Sequence, residues 1–109
     1  MNSPRIRRIH VELRLRPGFG FRGKRSYSLS LESNPSTGYS WTERDRLLPS
    51  IVEAKHHYTQ HNGPPGTGGI DEWIFTAISL GEEIIKLAYA PEFDPNNVDR
   101  WVEINCKVV

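Results

Sequence analysis

The sequence predicts an all-β fold, a sandwich or barrel of seven or eight short strands, on three observations. Apolar and polar residues alternate with period two in several separate runs. Turn residues recur about every ten positions, and no stretch holds a helical period long enough to persist. Eight prolines and nine glycines among 109 residues supply the turns.

Residues 6–15 alternate first, with Ile9, Val11, Leu13 and Leu15 between charged neighbours, and Pro17-Gly18 ends the run. Residues 25–32 set Tyr27, Leu29 and Leu31 against Ser26, Ser28 and Ser30. A third strand is expected over 39–42, then a crossing segment at Leu47, Leu48 and Pro49, then a strand over 51–58. Residues 71–79 place Trp73, Phe75 and Ala77 on one face before a turn at Gly81. Residues 83–89 (Ile85, Leu87, Tyr89) and 100–109 (Trp101, Glu103, Ile104, Cys106, Val108) complete the set. Arg44–Leu48 and Glu82–Ile85 have some helical character but are too short to nucleate a helix. At least two of Trp41, Trp73 and Trp101 belong in the core of so small a sandwich.

The chain is long enough to build a core without staples, and no repeat or linker divides it, so residues 1–109 are expected to form a single domain. One cysteine excludes an internal disulfide, and no run reaches the length of a membrane span. The first ten residues have arginines but no apolar stretch behind them, which does not read as a signal peptide. The expectation is a cytoplasmic protein unless a leader has been trimmed from the chain. Eight of the fourteen Lys and Arg fall in the first 31 residues against one acid, Glu12. That bias does not indicate nucleic acid or a membrane surface: the charges alternate with apolar residues as on a half-solvated strand, and no aromatics interleave to stack on bases.

Several motifs lose to simpler explanations. Gly63-Pro64-Pro65-Gly66-Thr67-Gly68 resembles the start of a phosphate-binding loop, but the lysine and the following helix are missing. Gly18-Phe19-Gly20-Phe21-Arg22-Gly23 is likewise a glycine-rich turn before a strand. His56 and His57 are adjacent on a strand and point to opposite faces, so with His61 they make a poor metal site; no metal or cofactor is expected. His10 falls on the polar face of its strand. Cys106 shares the face of Ile104 and Val108 and reads as a buried structural thiol, not a nucleophile. No arrangement of catalytic residues stands out, and the chain does not read as an enzyme.

Residues 34–41, Asn-Pro-Ser-Thr-Gly-Tyr-Ser-Trp, are the most informative segment. Pro35 fixes its own φ and pushes Asn34 towards an extended conformation. Gly38 accepts a positive φ, and Ser36 and Thr37 can bond nearby backbone. The result is a stiff turn between strands with a solvent-facing tip, which loses little entropy on binding. This segment closely resembles the signature loop of the chagasin family of cysteine protease inhibitors, Asn-Pro-Thr-Thr-Gly followed by an aromatic, here Tyr39. Downstream, Gly66-Thr67-Gly68-Gly69 resembles that family's Gly-x-Gly-Gly loop. The resemblance runs from about Gly23 to the C-terminus, though only the two loops are specific.

The resemblance implies an immunoglobulin-like β-sandwich, and a monomer that reversibly inhibits papain-like cysteine proteases by occluding the cleft with three loops from one end. Asn34, Pro35, Ser36, Thr37 and Gly38 would enter the cleft with Thr37 nearest the nucleophile. Gly66, Thr67, Gly68 and Gly69 would approach its wall. The third loop, within 90–100, departs from the pattern. Where the family has Arg-Pro-Trp after a tyrosine, this chain has Tyr89-Ala90-Pro91-Glu92-Phe93, leaving Pro91 and Phe93 as the matching contacts. The competing reading is an immunoglobulin-like recognition or adhesion module that uses the same loops for another protein or a glycan.

Overall fold

A computed structural model describes residues 7–16, 25–46 and 50–109. Among these, seven strands form two sheets: β1 (Arg7–Leu15), β2 (Ser26–Ser33), β3 (Tyr39–Arg44), β4 (Val52–Gln60), β5 (Gly69–Ala77), β6 (Gly81–Pro91) and β7 (Arg100–Val108). The four-stranded sheet has the order β1-β7-β6-β3 and the three-stranded sheet the order β2-β5-β4. All neighbours are antiparallel except β1 and β7, which run parallel with Leu13 beside Cys106 and Leu15 beside Val108. This is the expected all-β, immunoglobulin-like sandwich. The crossing segment at 47–49 and the glycine-rich turn at 18–23 lie outside the described residues.

Period-two patterning becomes core directly. Leu31, Trp41, Trp73, Phe75, Ile85, Leu87, Val102 and Ile104 all point between the sheets and are buried. Trp41 and Trp73 meet the expectation of two core tryptophans. Trp101 does not join them: the inward phase of β7 is Val102, Ile104, Cys106 and Val108, and Trp101 lies half-buried on the opposite face, paired in register with Ala88. Glu82–Ile85 is strand, because Ile85 is needed in the core and β7 pairs along its whole length. β5 begins two residues earlier than its apolar pattern suggests, since Gly69 and Ile70 pair with both β2 and β4.

Arg46 fastens the exit of β3. It ion-pairs with Glu43 and with Glu83 of β6, the latter at 3.0 Å, and bonds Ser50 and the Val52 carbonyl at the start of β4. These side chains are largely buried, so the arginine's charge is matched by acids where water cannot help. The two sheets are thereby joined at the end remote from residues 34–38. Cys106 lies beside this network, and burial pushes its thiol pKa up to about 11, with Glu83 adding to the effect and Arg46 opposing it.

Candidate functional site: three loops at one pole

Residues 34–38, 61–68 and 92–99 connect β2 to β3, β4 to β5 and β6 to β7, and all three emerge at the same end of the sandwich. The first is a single 3₁₀ turn, Pro35–Thr37, entered from an extended Asn34 and closed by Gly38 at φ 86°. A left-handed residue is required there, which explains glycine. The Thr37 amide and hydroxyl both donate to the Asn34 carbonyl, at 3.1 and 2.6 Å. The Gly38 amide donates to the Pro35 carbonyl at 2.9 Å, and the Ser36 hydroxyl donates to Asn34 Oδ1 at 2.5 Å. The turn is thus held by its own hydroxyls and backbone.

The second loop closes where the His61 amide donates to the Gly68 carbonyl at 2.9 Å, and Thr67 caps Pro64 through its amide and hydroxyl, at 3.2 and 2.5 Å. Asn34 Nδ2 donates to the Gly66 carbonyl at 2.8 Å, tying the first loop to the second. The third loop is tied to the first by the Glu92 amide, which donates to the Gly38 carbonyl at 3.1 Å. Its far side is held by Arg44 Nη2, which donates to the Pro95 carbonyl at 3.0 Å, and by the Asp99 amide on the Tyr89 carbonyl at 2.9 Å. Phe93 stands 83% exposed at the tip, with its ring edge over Gly38.

Beneath the first loop lies an aromatic column. Tyr89 packs against Tyr39 and Trp41 with ring centroids 5.4 and 5.0 Å apart. Its hydroxyl accepts the Asn34 backbone amide at 3.0 Å, and the Trp41 indole donates to the Glu32 carbonyl at 2.9 Å. The Arg100 guanidinium lies 5.3 Å from the Tyr89 ring centre.

All twelve residues expected at the site lie in these loops or at their roots, but they differ in access. Pro35, Ser36, Thr37, Gly66, Thr67 and Phe93 are exposed, and Asn34, Gly38 and Tyr39 are half-buried. Gly68, Gly69 and Pro91 are buried. A Cβ on Gly69 would sit 2.1 Å from the Thr59 carbonyl oxygen, so that glycine lets β4 and β5 meet at the base of the loop. The sequence reading placed Asn34 at the site without its linking role, and it missed the Tyr89 hydroxyl, Arg44 and Arg100. Only Tyr89 carried a signal, as the last inward-facing aromatic of its strand.

The family model for the chagasin family peptidase inhibitors, I42, matches residues 21–108. The chain therefore belongs to the chagasin family of peptidase inhibitors. Solved structures with the same fold include the solution structure of amebosin, at 23% identity and a TM-score of 0.69, covering 96% of this chain and 99% of that one. The cysteine protease inhibitor EhICP2 from Entamoeba histolytica superposes at 18% identity and a TM-score of 0.67, covering 98% of this chain and 100% of that one. PbICP-C, solved in complex with falcipain-2, matches at 16% identity and a TM-score of 0.64, covering 98% of this chain and 93% of that one. No curated protein sequence is significantly similar to the chain.

Proposed function

We propose that this protein is a reversible, monomeric inhibitor of papain-like cysteine proteases that fills the active-site cleft with the three-loop pole. Family membership and the neighbour bound to falcipain-2 support the target class. The observation that carries the mechanism is that Asn34 and Gly38 join the loops into one exposed ridge, through the bonds to Gly66 and Glu92. Thr37, at the exposed end of the 3₁₀ turn, is placed nearest the catalytic thiolate. Gly66, Thr67 and Phe93 flank it on either side.

A plug must also resist cleavage. A substrate lies extended and turns its scissile carbonyl towards the nucleophile and the oxyanion donors. In residues 34–38 the carbonyls of Asn34, Pro35 and Gly38 already accept hydrogen bonds from Thr37, Gly38 and Glu92. Straightening the turn would break those bonds and the link to the third loop. The ridge therefore resists the extended form that cleavage needs, and because it is already ordered, little entropy is lost on docking.

Titrating papain with the protein tests the reading. It predicts stoichiometric loss of activity that recovers on dilution, and a roughly hundredfold weaker inhibition constant for Thr37→Arg, whose long charged side chain cannot enter the closed cleft. Papain activity untouched by micromolar protein, or inhibition unchanged by Thr37→Arg, would overturn it.

A further inference from the structure

On the flank of the pole, between the first and second loops and the root of β7, lies a polar recess of about 290 Å³. One wall is Tyr89 and Arg100 of the larger sheet, and the other includes Ser33, Asn34 and His61. Its hydrogen-bonding capacity is uneven. The Tyr89 hydroxyl accepts the Asn34 amide, but its own proton meets no acceptor among the described residues. Arg100 spends only Nε, on Asp99 Oδ2 at 3.0 Å, which leaves both Nη groups uncommitted among the described residues. The Ser33 hydroxyl and the His61 ring also make no hydrogen bond among the described residues. On the acceptor side, Asn34 Oδ1 is taken by Ser36. The one carboxylate on the lining, Glu32, belongs to an exposed residue at the rim.

A pocket with several free donors and few free acceptors suits an anion, and a planar guanidinium whose two Nη groups form one open edge suits a carboxylate. Arg100 is preorganised for that role: its side chain is only 33% exposed and rests on the Tyr89 ring. We propose that this recess is a subsite for an Asp or Glu side chain projecting from the cleft wall of the target protease, with Arg100 as the specificity-determining residue that reads its charge. The inference rests on the protease-inhibitor reading and deepens it. It also identifies a cation at a pole whose third loop otherwise bears Glu92, Asp94 and Asp99.

The test uses the intact protein and a panel of papain-like proteases, papain among them, that differ in the acidity of the cleft rim. Inhibition constants are measured at low and high salt for the wild type, Arg100→Lys and Arg100→Gln, with thermal melting confirming that each variant is folded. The subsite predicts roughly tenfold weaker inhibition by Arg100→Gln for proteases with an acid on that wall, an intermediate loss for Arg100→Lys, and a difference that shrinks as salt rises. Replacing the protease acid by its amide should abolish the difference in a double-mutant cycle. If Arg100→Gln stays within twofold of the wild type against every protease the wild type inhibits, the subsite is overturned while the inhibitor reading stands. If the wild type inhibits none of them, both fall.

Discussion

The Tyr89 hydroxyl reaches from β6 to the Asn34 backbone amide, 3.0 Å away at the end of β2, and so ties one sheet to the first residue of the binding ridge. Asn34 then extends the connection to Gly66 with its side chain and accepts both Thr37 donors on its carbonyl. One buried ring therefore governs the placement of two loops. Tyr89→Phe keeps the packing but leaves the Asn34 amide half-buried without its partner. The expected cost is about 1–2 kcal/mol in denaturant-measured stability, together with a faster release from the protease.

Asn34→Ala removes the link to Gly66 and the acceptor for Ser36 while sparing the core. Global stability should fall by less than about 1 kcal/mol, because the bonds lost lie at the surface. Inhibition should weaken more than stability, since the second loop would have to be ordered on binding. Equal inhibition by Asn34→Ala and the wild type, measured with papain, would contradict the idea of a preassembled ridge.

The two kinds of glycine at the pole should respond differently to alanine. Gly69→Ala places a Cβ 2.1 Å from the Thr59 carbonyl oxygen and forces β4 from β5, a loss of about 2–4 kcal/mol visible in thermal melting. Gly38→Ala meets only ordinary contact with Phe93, at 3.6 Å, but must hold φ near 86°. It should cost about 1 kcal/mol and act mainly on inhibition.

Cys106 is fully buried, and its thiol is pushed up to about 11 from an ordinary 9.0 by burial and by Glu83. The folded protein should therefore resist thiol-directed reagents at pH 8 and react only on unfolding. The raised value also sets a sign for stability. The thiol's contribution is complete below pH 9, where both states are protonated, and is lost as pH rises from 9 towards 11, because the unfolded chain ionises first. Fast labelling of folded protein at pH 8 would contradict the placement.

His56 stacks on Trp73 with ring centroids 4.2 Å apart and bonds Asp71 at 3.0 Å, while the Trp73 indole donates to the same carboxylate at 3.0 Å. Asp71 is 4% exposed, so His56→Ala would leave a buried carboxylate with one partner fewer. A loss of about 1–3 kcal/mol in chemical denaturation is expected, larger than for the solvent-facing His57→Ala.

Most of the fold was legible because its strands alternate cleanly. β1, β2 and β4 fall within two residues of their sequence patterns, and the inward phases of β5 and β6 are the apolar ones. What the patterns leave open lies in tertiary contacts. At β7 the inward phase follows from Ile104, Cys106 and Val108, which places Val102 with them and Trp101 on the other face, as the pairing with β6 bears out. The bond from His56 to the buried Asp71 was not readable, because polarity alone does not show that a Trp73 indole needs an acceptor beside it. The signature turn was readable through Pro35 and Gly38, whose backbone preferences are local. The cross-links from Asn34 to Gly66 and from Tyr89 to Asn34 join residues 32 and 55 positions apart, and no single-sequence pattern encodes them.

The central claim is that residues 34–38, 61–68 and 92–95 act as one ridge against a protease cleft. Hydrogen exchange of the protein with and without papain, in tight-binding conditions, measures this most directly. The account predicts new protection in all three segments together, with the opposite pole around Leu80 unchanged. Protection confined to one loop, or centred on any other face, would contradict it.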